Sequence, residues 1–471
     1  MSNADKNRHL QARLLDGSVG RSLLKMSASM IIGFFAGAAY NLTDAYFVAR
    51  LGTEPLAAMG FTFPVVMIVH GLVMGIGIGA ASVLSRTIGQ GDPQRVRRLT
   101  MHSLYLGLVL TALLIVVGYV FLRPIVTLLG ADGEIASMAM AYLRIWLAGM
   151  LFTVVPMIGT NVIRATGDTL SPSLIMMSDM LLNLGLDPLF IFGWGPIPAM
   201  GIEGAALATV LAHVVALFAA LYILGRGKHM LTFRRPLLKG IGESWRQITY
   251  VGLPAAATNI LTPIGSGIVT RIVSGYGAAS VAAMTAGIRI EHCVVIPIIA
   301  LGASMVPFVG QNWGAGKLDR VIAAQKIAYR WAAIWGVMCL LVLAGFAENI
   351  ASLFSKDNLV VLQLSLYLVI MPPVMGLRGV VMASMGTLNA INRPLDATTN
   401  TIIRLFALQW PLAALGAALG GFVGILFGVL SAEFLSASIV AIWAMTLLLK
   451  ARKEKEKAAP ELAGAVVESE G

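Results

Sequence analysis

The residues of this chain that could do chemistry are acids placed where acids are costly. The stretch NLGLDPLFIFG (183–193) sets Asp187 inside a run of leucine, isoleucine and phenylalanine. A charge near the bilayer centre costs about 2.5–3.5 kcal/mol on insertion scales, so such residues persist where they face protein or water. Asn183 precedes Asp187 by one helical turn and Asp179 precedes Asn183 by another, which puts all three on one helix face. Asp44 closes a second apolar run, LLKMSASMIIGFFAGAAYNLTD. Two carboxylates turned into one cavity cannot both ionise cheaply, so the pair can share a proton. The same oxygens, with the Asn183 amide and with Thr160 or Asn161 as further ligands, could instead coordinate sodium. The residues leave both chemistries open and lean towards the shared proton. Each also has a plain structural alternative: Asp187 before Pro188 could satisfy donors at a helix break, Asp44 could pair with Arg50, and Asn183 and Asp179 could bridge helices.

Other polar residues suggest less chemistry. Glu203 follows a glycine-rich turn and is read mainly as orienting the start of a helix, with an ion or substrate contact as the alternative. Arg289, Glu291 and His292 cluster in one later apolar segment and Arg378 lies in another; an internal ion pair of Glu291 with Arg289 or Arg378 is expected there, with a substrate role as the alternative. Arg164 and Asp168 flank a turn and are expected to clasp it, while His70, His102 and His213 are scattered singly and read as helix contacts. Cys293 and Cys339 sit in apolar segments and form neither a disulfide framework nor a spaced metal site, so no structural metal is expected. No phosphate-binding GxxxxGK[ST] loop or nucleophile elbow occurs, which excludes ATP hydrolysis and acyl transfer as read from motifs, makes an enzyme the weakest reading, and predicts no cofactor.

The elements that must hold these acids are membrane helices. Hydrophobic residues make up 58% of the 471 and charged residues 12%, with a mean hydropathy of +0.83; soluble domains carry about 25% charged residues. Apolar stretches of about 20 residues, enough to cross a ~30 Å hydrocarbon core, recur along the chain. Twelve spans are expected, starting near 22, 56, 99, 135, 171, 201, 247, 280, 324, 359, 397 and 421. The fold class predicted is therefore an all-α polytopic membrane protein. The net charge of +11 is not a nucleic-acid signal, because most of the 34 lysines and arginines fall on one side of the predicted membrane. The opposite side keeps only Arg50, Arg123, Arg271 and Lys356, and Arg144, Arg289, Arg378 and Arg404 lie within or at the edge of spans. That asymmetry predicts cytoplasmic N and C termini. The polar lead 1–21 lacks the features of a removable signal peptide, and the charged tail 450–471 is expected to be solvated and disordered.

Sliding the chain against itself by 225 residues reveals an internal repeat. Gly52, Ala57, Ala58 and Met59 fall on Gly277, Ala282, Ala283 and Met284; Gly77 falls on Gly302; GQGDPQRV (89–96) falls on GAGKLDRV. After a five-residue slip, GIEG at 201–204 matches GFVG at 421–424. Each half holds six spans, so the expected domains are a lobe at 22–224, a basic cytoplasmic linker at 225–246 and a second lobe at 247–449. Two parallel repeats of six spans imply a pseudo-two-fold axis along the membrane normal and an alternating-access transporter.

Over residues 16–450 the sequence resembles the multidrug and toxic compound extrusion (MATE) transporters, through NLTDAYFVARLG (41–52), GQGDPQRV, RATGD (164–168), NLGLDPLFIFG and GIEGAALAT (201–209), in that order. The resemblance implies a secondary exporter of cationic amphipathic drugs or dyes by proton or sodium antiport, working as a monomer in the inner membrane. Members of the NorM type carry a glutamate in the seventh helix and an aspartate in the tenth; neither span has an acid here. The DinF type instead joins an aspartate of the first helix to an asparagine and an aspartate of the fifth, which correspond to Asp44, Asn183 and Asp187. Some DinF members bend the first helix at a proline, but this chain has Ser29 where the second repeat has Pro254. The seventh and eighth spans, with Pro254, Pro263, Pro297 and Pro307, are expected to kink. Met30, Met176, Met177 and Met180 could add an adaptable apolar surface to the cavity. A flippase for lipid-linked sugars or other lipid precursors is the alternative within the same superfamily, kept by the four intramembrane arginines.

Overall fold

A computed structural model describes residues 12–232 and 238–470, with side chains beyond Lys457 left out of the description. Five residues of the basic linker, 233–237, and most of the N-terminal lead lie outside it. Among the described residues the chain is helical, with no strand beyond a single bridge between Trp194 and Ile197. The helices are α1 Val19–Ala49, α2 Thr53–Gln90, α3 Pro93–Val120, the short α4 Leu122–Leu128, α5 Gly133–Ala165, α6 Leu170–Phe192 and α7 Gly201–Tyr222. The second half continues with α8 Ile241–Ser274, α9 Ala278–Val294, α10 Ile296–Gly314, α11 Leu318–Gly345, α12 Ala347–Phe354, α13 Asn358–Ile370, α14 Pro373–Ala390, α15 Pro394–Ile402 and α16 Trp410–Glu470.

Among the described residues eight helices are long and apolar enough to cross a membrane, and ten spans result when the pairs α9–α10 and α13–α14, each bent by 47°, count as one span each. The run from Pro394 onward breaks at Gly420 (φ −148°) and Gly421 (φ 58°), which divides it into two passes. Helix α8, at 34 residues, is long enough for one more, its hydropathy lowered by polar residues such as Thr258 and Asn259. The multi-pass, all-helical architecture expected from the sequence is thus present. Large apolar side chains that remain exposed, such as Phe35, Leu42, Phe63, Leu113, Phe218 and Leu341, suit helices with an apolar solvent around them.

Met26–Ile260 pack together as an N-terminal unit, and Leu14–Lys25 pack with the chain from Leu261 onward as a C-terminal unit. Each unit therefore recruits the first turns of a helix that starts the other half. In the N-terminal unit the start of α8 is held by Ser244 Oγ against His102 Nδ1 (2.8 Å) and by Trp245 Nε1 donating to the His102 carbonyl (3.0 Å), while Gly75 and Gly79 let its backbone approach α2 closely. In the C-terminal unit Leu14 donates to Gln311 Oε1 (3.2 Å) and its carbonyl accepts from Asn312 Nδ2 (3.1 Å), with Arg320 bonding the Gly17 carbonyl (2.8 Å).

The repeat is also written in backbone conformation. Gly52 and Gly277, Gly91 and Gly316, and Gly201 and Gly421 all have positive φ, at the matched positions where one helix stops and the next begins. Only glycine takes that region without steric cost.

Helix α8 stays one helix across Pro254 and Pro263, whereas the eighth span breaks at Val295, ahead of Pro297. The tenth span breaks where Met371–Pro372 precedes Pro373, a site the sequence reading did not single out. Helix α1 runs unbroken from Val19 to Ala49, packed through Gly33 against Ser173. Beyond the last span α16 continues, with Arg452 Nε 2.8 Å from Glu456 one turn on and Lys455 Nζ on the Gly316 carbonyl (2.6 Å). Lysine, glutamate and alanine favour helix, and i,i+4 pairs add to that preference.

Candidate functional site

Helix α6 aligns Asp179, Asn183 and Asp187 at four-residue steps, α1 aligns Tyr40 and Asp44, and α7 aligns Thr209 and His213. Within the N-terminal unit these faces turn towards one another. Asn183 and Asp187 are fully buried and Asp44 is 5% exposed. Asn183 Nδ2 donates to Asp187 Oδ1 at 3.0 Å. Asp44 and Asp187 lie within electrostatic reach of each other, and the buried Tyr142 of α5 lies within reach of both. Asp44 Oδ1, Asn183 Oδ1 and Asp187 Oδ2 have no hydrogen-bond partner among the described residues. Buried acceptors without donors are rare in folded proteins and call for a bound proton, ion or water.

Arg50 does not serve Asp44; its Nη2 donates to Tyr46 Oη (2.6 Å) and its guanidinium lies over that ring. The unpaired state of Asp44 is therefore not relieved by the arginine that sequence proximity suggested.

Two turns along α6 from Asp187, a second group forms around Asp179. His213 Nε2 is 3.5 Å from Asp179 Oδ2, and His213 Nδ1 is 2.9 Å from Thr153 Oγ1 on α5. The His213 ring stacks on Tyr40, centroids 6.3 Å apart and planes 11° apart, and Tyr40 Oη donates to Thr209 Oγ1 at 2.9 Å. Reading His213 as a plain helix contact missed this arrangement; its spacing from Thr209, one turn on the same face of α7, was the available signal.

Thr160 and Asn161 do not join the acids. Thr160 Oγ1 and Asn161 Nδ2 both donate to the Met157 carbonyl (3.1 and 2.9 Å), and Asn161 packs against Gly77. They lie near the end of α5 that meets the start of α6, whereas Asp187 is 17 residues, about 26 Å, from that start. Tyr142, near the start of α5, occupies the matching level instead. Glu203 is exposed in the first turn of α7, where an acid favours the helix N-terminus, and takes no part in the buried group.

The expected clasp at the α5–α6 turn is made by other hands. Asp168 Oδ2 pairs with Lys228 Nζ at 2.6 Å and accepts from Ser171 Oγ (2.8 Å), while its Oδ1 accepts from Ser171 N (3.1 Å). Burial alone would raise the Asp168 carboxyl, but the Lys228 and Ser171 hydrogen bonds and the lysine charge bring it below the ordinary carboxylate range. Arg164 is instead buried over the Phe34 ring (5.4 Å), with Nη2 3.2 Å from Met176 Sδ and Nε without a partner. No acid pairs with it among the described residues.

In the C-terminal unit the expected ion pair forms between Glu291 Oε2 and Arg378 Nη1 at 2.6 Å, and Tyr367 Oη donates to Glu291 Oε1 at 2.6 Å. Arg289 is exposed and stays outside it. The chain of charges extends through residues that sequence reading did not connect: Arg378 Nε is 3.6 Å from Glu433 Oε1, which Arg404 Nη1 meets at 2.9 Å. Glu433 lies within the apolar run SAEFLSAS, so the cost of an intramembrane acid was the signal that could have found it. With two acids and two arginines this chain is internally neutralised, in contrast to the acids of the N-terminal unit. Among the described residues no cluster of histidine, cysteine and acid could hold a metal ion.

Known proteins place the chain. The MatE family model matches twice, at residues 29–189 and 254–415, and the two matches begin 225 residues apart, the offset of the internal repeat. The chain is 36% identical over 421 residues to a protein of Shewanella oneidensis named FAD transporter, covering 89% of this chain and 92% of that one. It is 26% identical over 443 residues to multidrug export protein MepA of Staphylococcus saprophyticus, covering 94% and 96%. Its fold matches the Vibrio cholerae MATE transporter VcmN in the bent form with a TM-score of 0.87 and 30% identity, over 92% and 98% of the two chains. This twice-repeated, multi-pass helical chain therefore belongs to the MATE family of membrane transporters.

Proposed function

We propose that this chain is a secondary exporter of the DinF type, in which Asp44, Asn183 and Asp187 form the ion-coupling group. The observation that carries this reading is the trio itself: two carboxylates and an amide, buried together, with one unpartnered oxygen on each. A proton taken up from the outer side neutralises the trio and releases bound cargo outward; loss of that proton to the cytoplasm restores the negative site. Proton coupling is favoured over sodium because Thr160 and Asn161, the expected additional ligands, lie near the end of α5 that meets the start of α6, away from Asp187. The protein works as a monomer in the inner membrane, both termini on the cytoplasmic side, and needs no cofactor.

The cargo assigned is cationic, aromatic and amphipathic, in keeping with the multidrug export relatives and with acids that have no cationic partner. A second cargo reading is an anionic flavin nucleotide. It is supported by the 36% identical relative named FAD transporter and by Arg164, a buried guanidinium over Phe34 without an acid beside it.

Reconstituted vesicles loaded with ethidium or with FAD, under an imposed pH or sodium gradient, test both levels for wild type and Asp187→Asn. Ethidium efflux driven by pH and abolished in the variant, at unchanged protein level, supports the proposal; an unchanged rate in Asp187→Asn overturns the role of the trio. A sodium response reassigns the same oxygens to a sodium site, FAD movement alone selects the flavin reading, and no movement of either cargo turns the assignment towards a lipid-precursor flippase.

A further inference from the structure

The Asp179–His213 pair can hold its hydrogens in two arrangements. The Thr153 hydroxyl has one proton to give, and it lies 3.3 Å from the Gly149 carbonyl, the i−4 acceptor of its own helix. The hydroxyl also stands 2.9 Å from His213 Nδ1 and can donate there, leaving Nε2–H to donate to Asp179; with its proton on Gly149 instead, Thr153 Oγ1 receives the bond and Nδ1 carries the hydrogen. Nε2 is then a lone pair facing Asp179 Oδ2 at 3.5 Å. Two acceptors face each other, and one proton between them, carried as imidazolium or as carboxylic acid, resolves the clash. Asp179 Oδ1 has no partner either.

The surroundings favour a group that loads and unloads a proton over a permanent ion pair. His213 is met by Asp179 from α6, by Tyr40 from α1 and by Thr153 from α5; from α2, His70 lies within electrostatic reach, its Nε2 unpartnered and its ring against Trp146 (5.5 Å). No lysine or arginine pairs with Asp179 or His213 among the described residues. A second imidazole next to His213 opposes simultaneous charging of both rings, so a single proton is retained. Tyr40 lies within reach of both Asp179 and Asp44, and Asp179 is two turns, about 12 Å, from Asp187 along α6. The two acidic groups are thus separate stations on one polar face.

We propose that Asp179 and His213 form a second proton-carrying station, loaded once per cycle in addition to the proton on Asp44, Asn183 and Asp187. The step is a simple proton uptake: Nε2 accepts a proton from water or from a neighbouring hydroxyl, the imidazolium pairs with the Asp179 carboxylate, and the reverse transfer returns the neutral ring. This rests on proton coupling at the trio, and its consequence is a stoichiometry of two protons per cargo molecule.

The test measures the ethidium gradient sustained by a given pH difference in reconstituted vesicles, the membrane potential clamped at zero with potassium and valinomycin. Each coupled proton contributes a factor of ten per pH unit, so wild type should sustain about a hundredfold ratio per unit, and His213→Gln and Asp179→Asn about tenfold. Ethidium counterflow without a pH gradient, which needs binding and alternation only, should persist in both variants. Wild-type steepness retained in both, or a wild type that itself couples one proton, overturns the station. Loss of counterflow in both also overturns it, by assigning the pair to helix linkage. Asp187→Asn separates this from the underlying reading: if that variant keeps pH-driven accumulation, coupling at the trio fails, whatever the pair does.

Discussion

Asp168 and Lys228 show how a buried acid can be held by a single cationic contact. Both side chains are largely buried, the contact is 2.6 Å, and Ser171 satisfies the remaining lone pairs of the carboxylate. Asp168→Asn should therefore lower the stability of the purified protein by about 1.5–3 kcal/mol, the range for a hydrogen bond to a charged group, seen as a lower melting temperature in detergent. The pH dependence has a definite sign. A carboxylate held below its ordinary value contributes stability above about pH 3.9, the unfolded value, and loses it as pH falls through the folded value. The difference between wild type and Asp168→Asn should be full at neutral pH and shrink under acid conditions; a difference that grows on acidification would contradict the assignment. The trio at Asp44 differs because no cation pairs with it among the described residues, and it is there that coupling is proposed.

Helices pack at the two repeat junctions through glycine. Gly416 and Gly424 sit on opposite sides of the break at Gly420–Gly421, and a Cβ on Gly424 would meet the Gly416 carbonyl, so the two passes touch backbone to backbone. Gly204, the repeat counterpart of Gly424, likewise lies against the Phe190 carbonyl of α6. Small residues let membrane helices approach where no hydrophobic drive separates protein from lipid. Gly424→Val should sharply reduce the yield of monodisperse protein in detergent, because backbone cannot give way as a flexible side chain can, and overpacking already costs about 1–3 kcal/mol where side chains do yield. Gly60→Val, with open space around its Cβ position, is the matched control and should leave the yield unchanged; equal yields for the two variants would show that close approach at Gly416 is not required.

Across the whole molecule, charge asymmetry argues for one orientation in the membrane. The lead, the second loop, the linker, the eighth loop and the tail carry most of the 34 lysines and arginines, and short basic loops stay on the cytoplasmic side. A green fluorescent protein fused after residue 471 should fluoresce in a bacterial host, and alkaline phosphatase at the same place should be inactive. The opposite pair of results would invert the topology and with it the direction in which the acids of α1 and α6 load and release protons.

The amino-acid sequence by itself determined the class, the spans and the repeat, because hydropathy over about 20 residues is a local property and because matched residues such as Gly52 and Gly277 recur at one offset. It also singled out Asp44, Asn183 and Asp187, since an acid in an apolar run is conspicuous and four-residue spacing sets a helix face. Tertiary structure alone decided which distant residues meet them. Tyr142 and not Thr160 lies within reach of Asp187, because Thr160 is near the end of α5 that meets the start of α6 and Asp187 is about 26 Å along α6 from that start. His213 finds Asp179, and Glu433 joins Arg378 to Arg404, through side chains brought together across different helices. Spacing along one helix is legible in a sequence; the register between helices depends on how their faces pack, and that is where the second acidic group came into view.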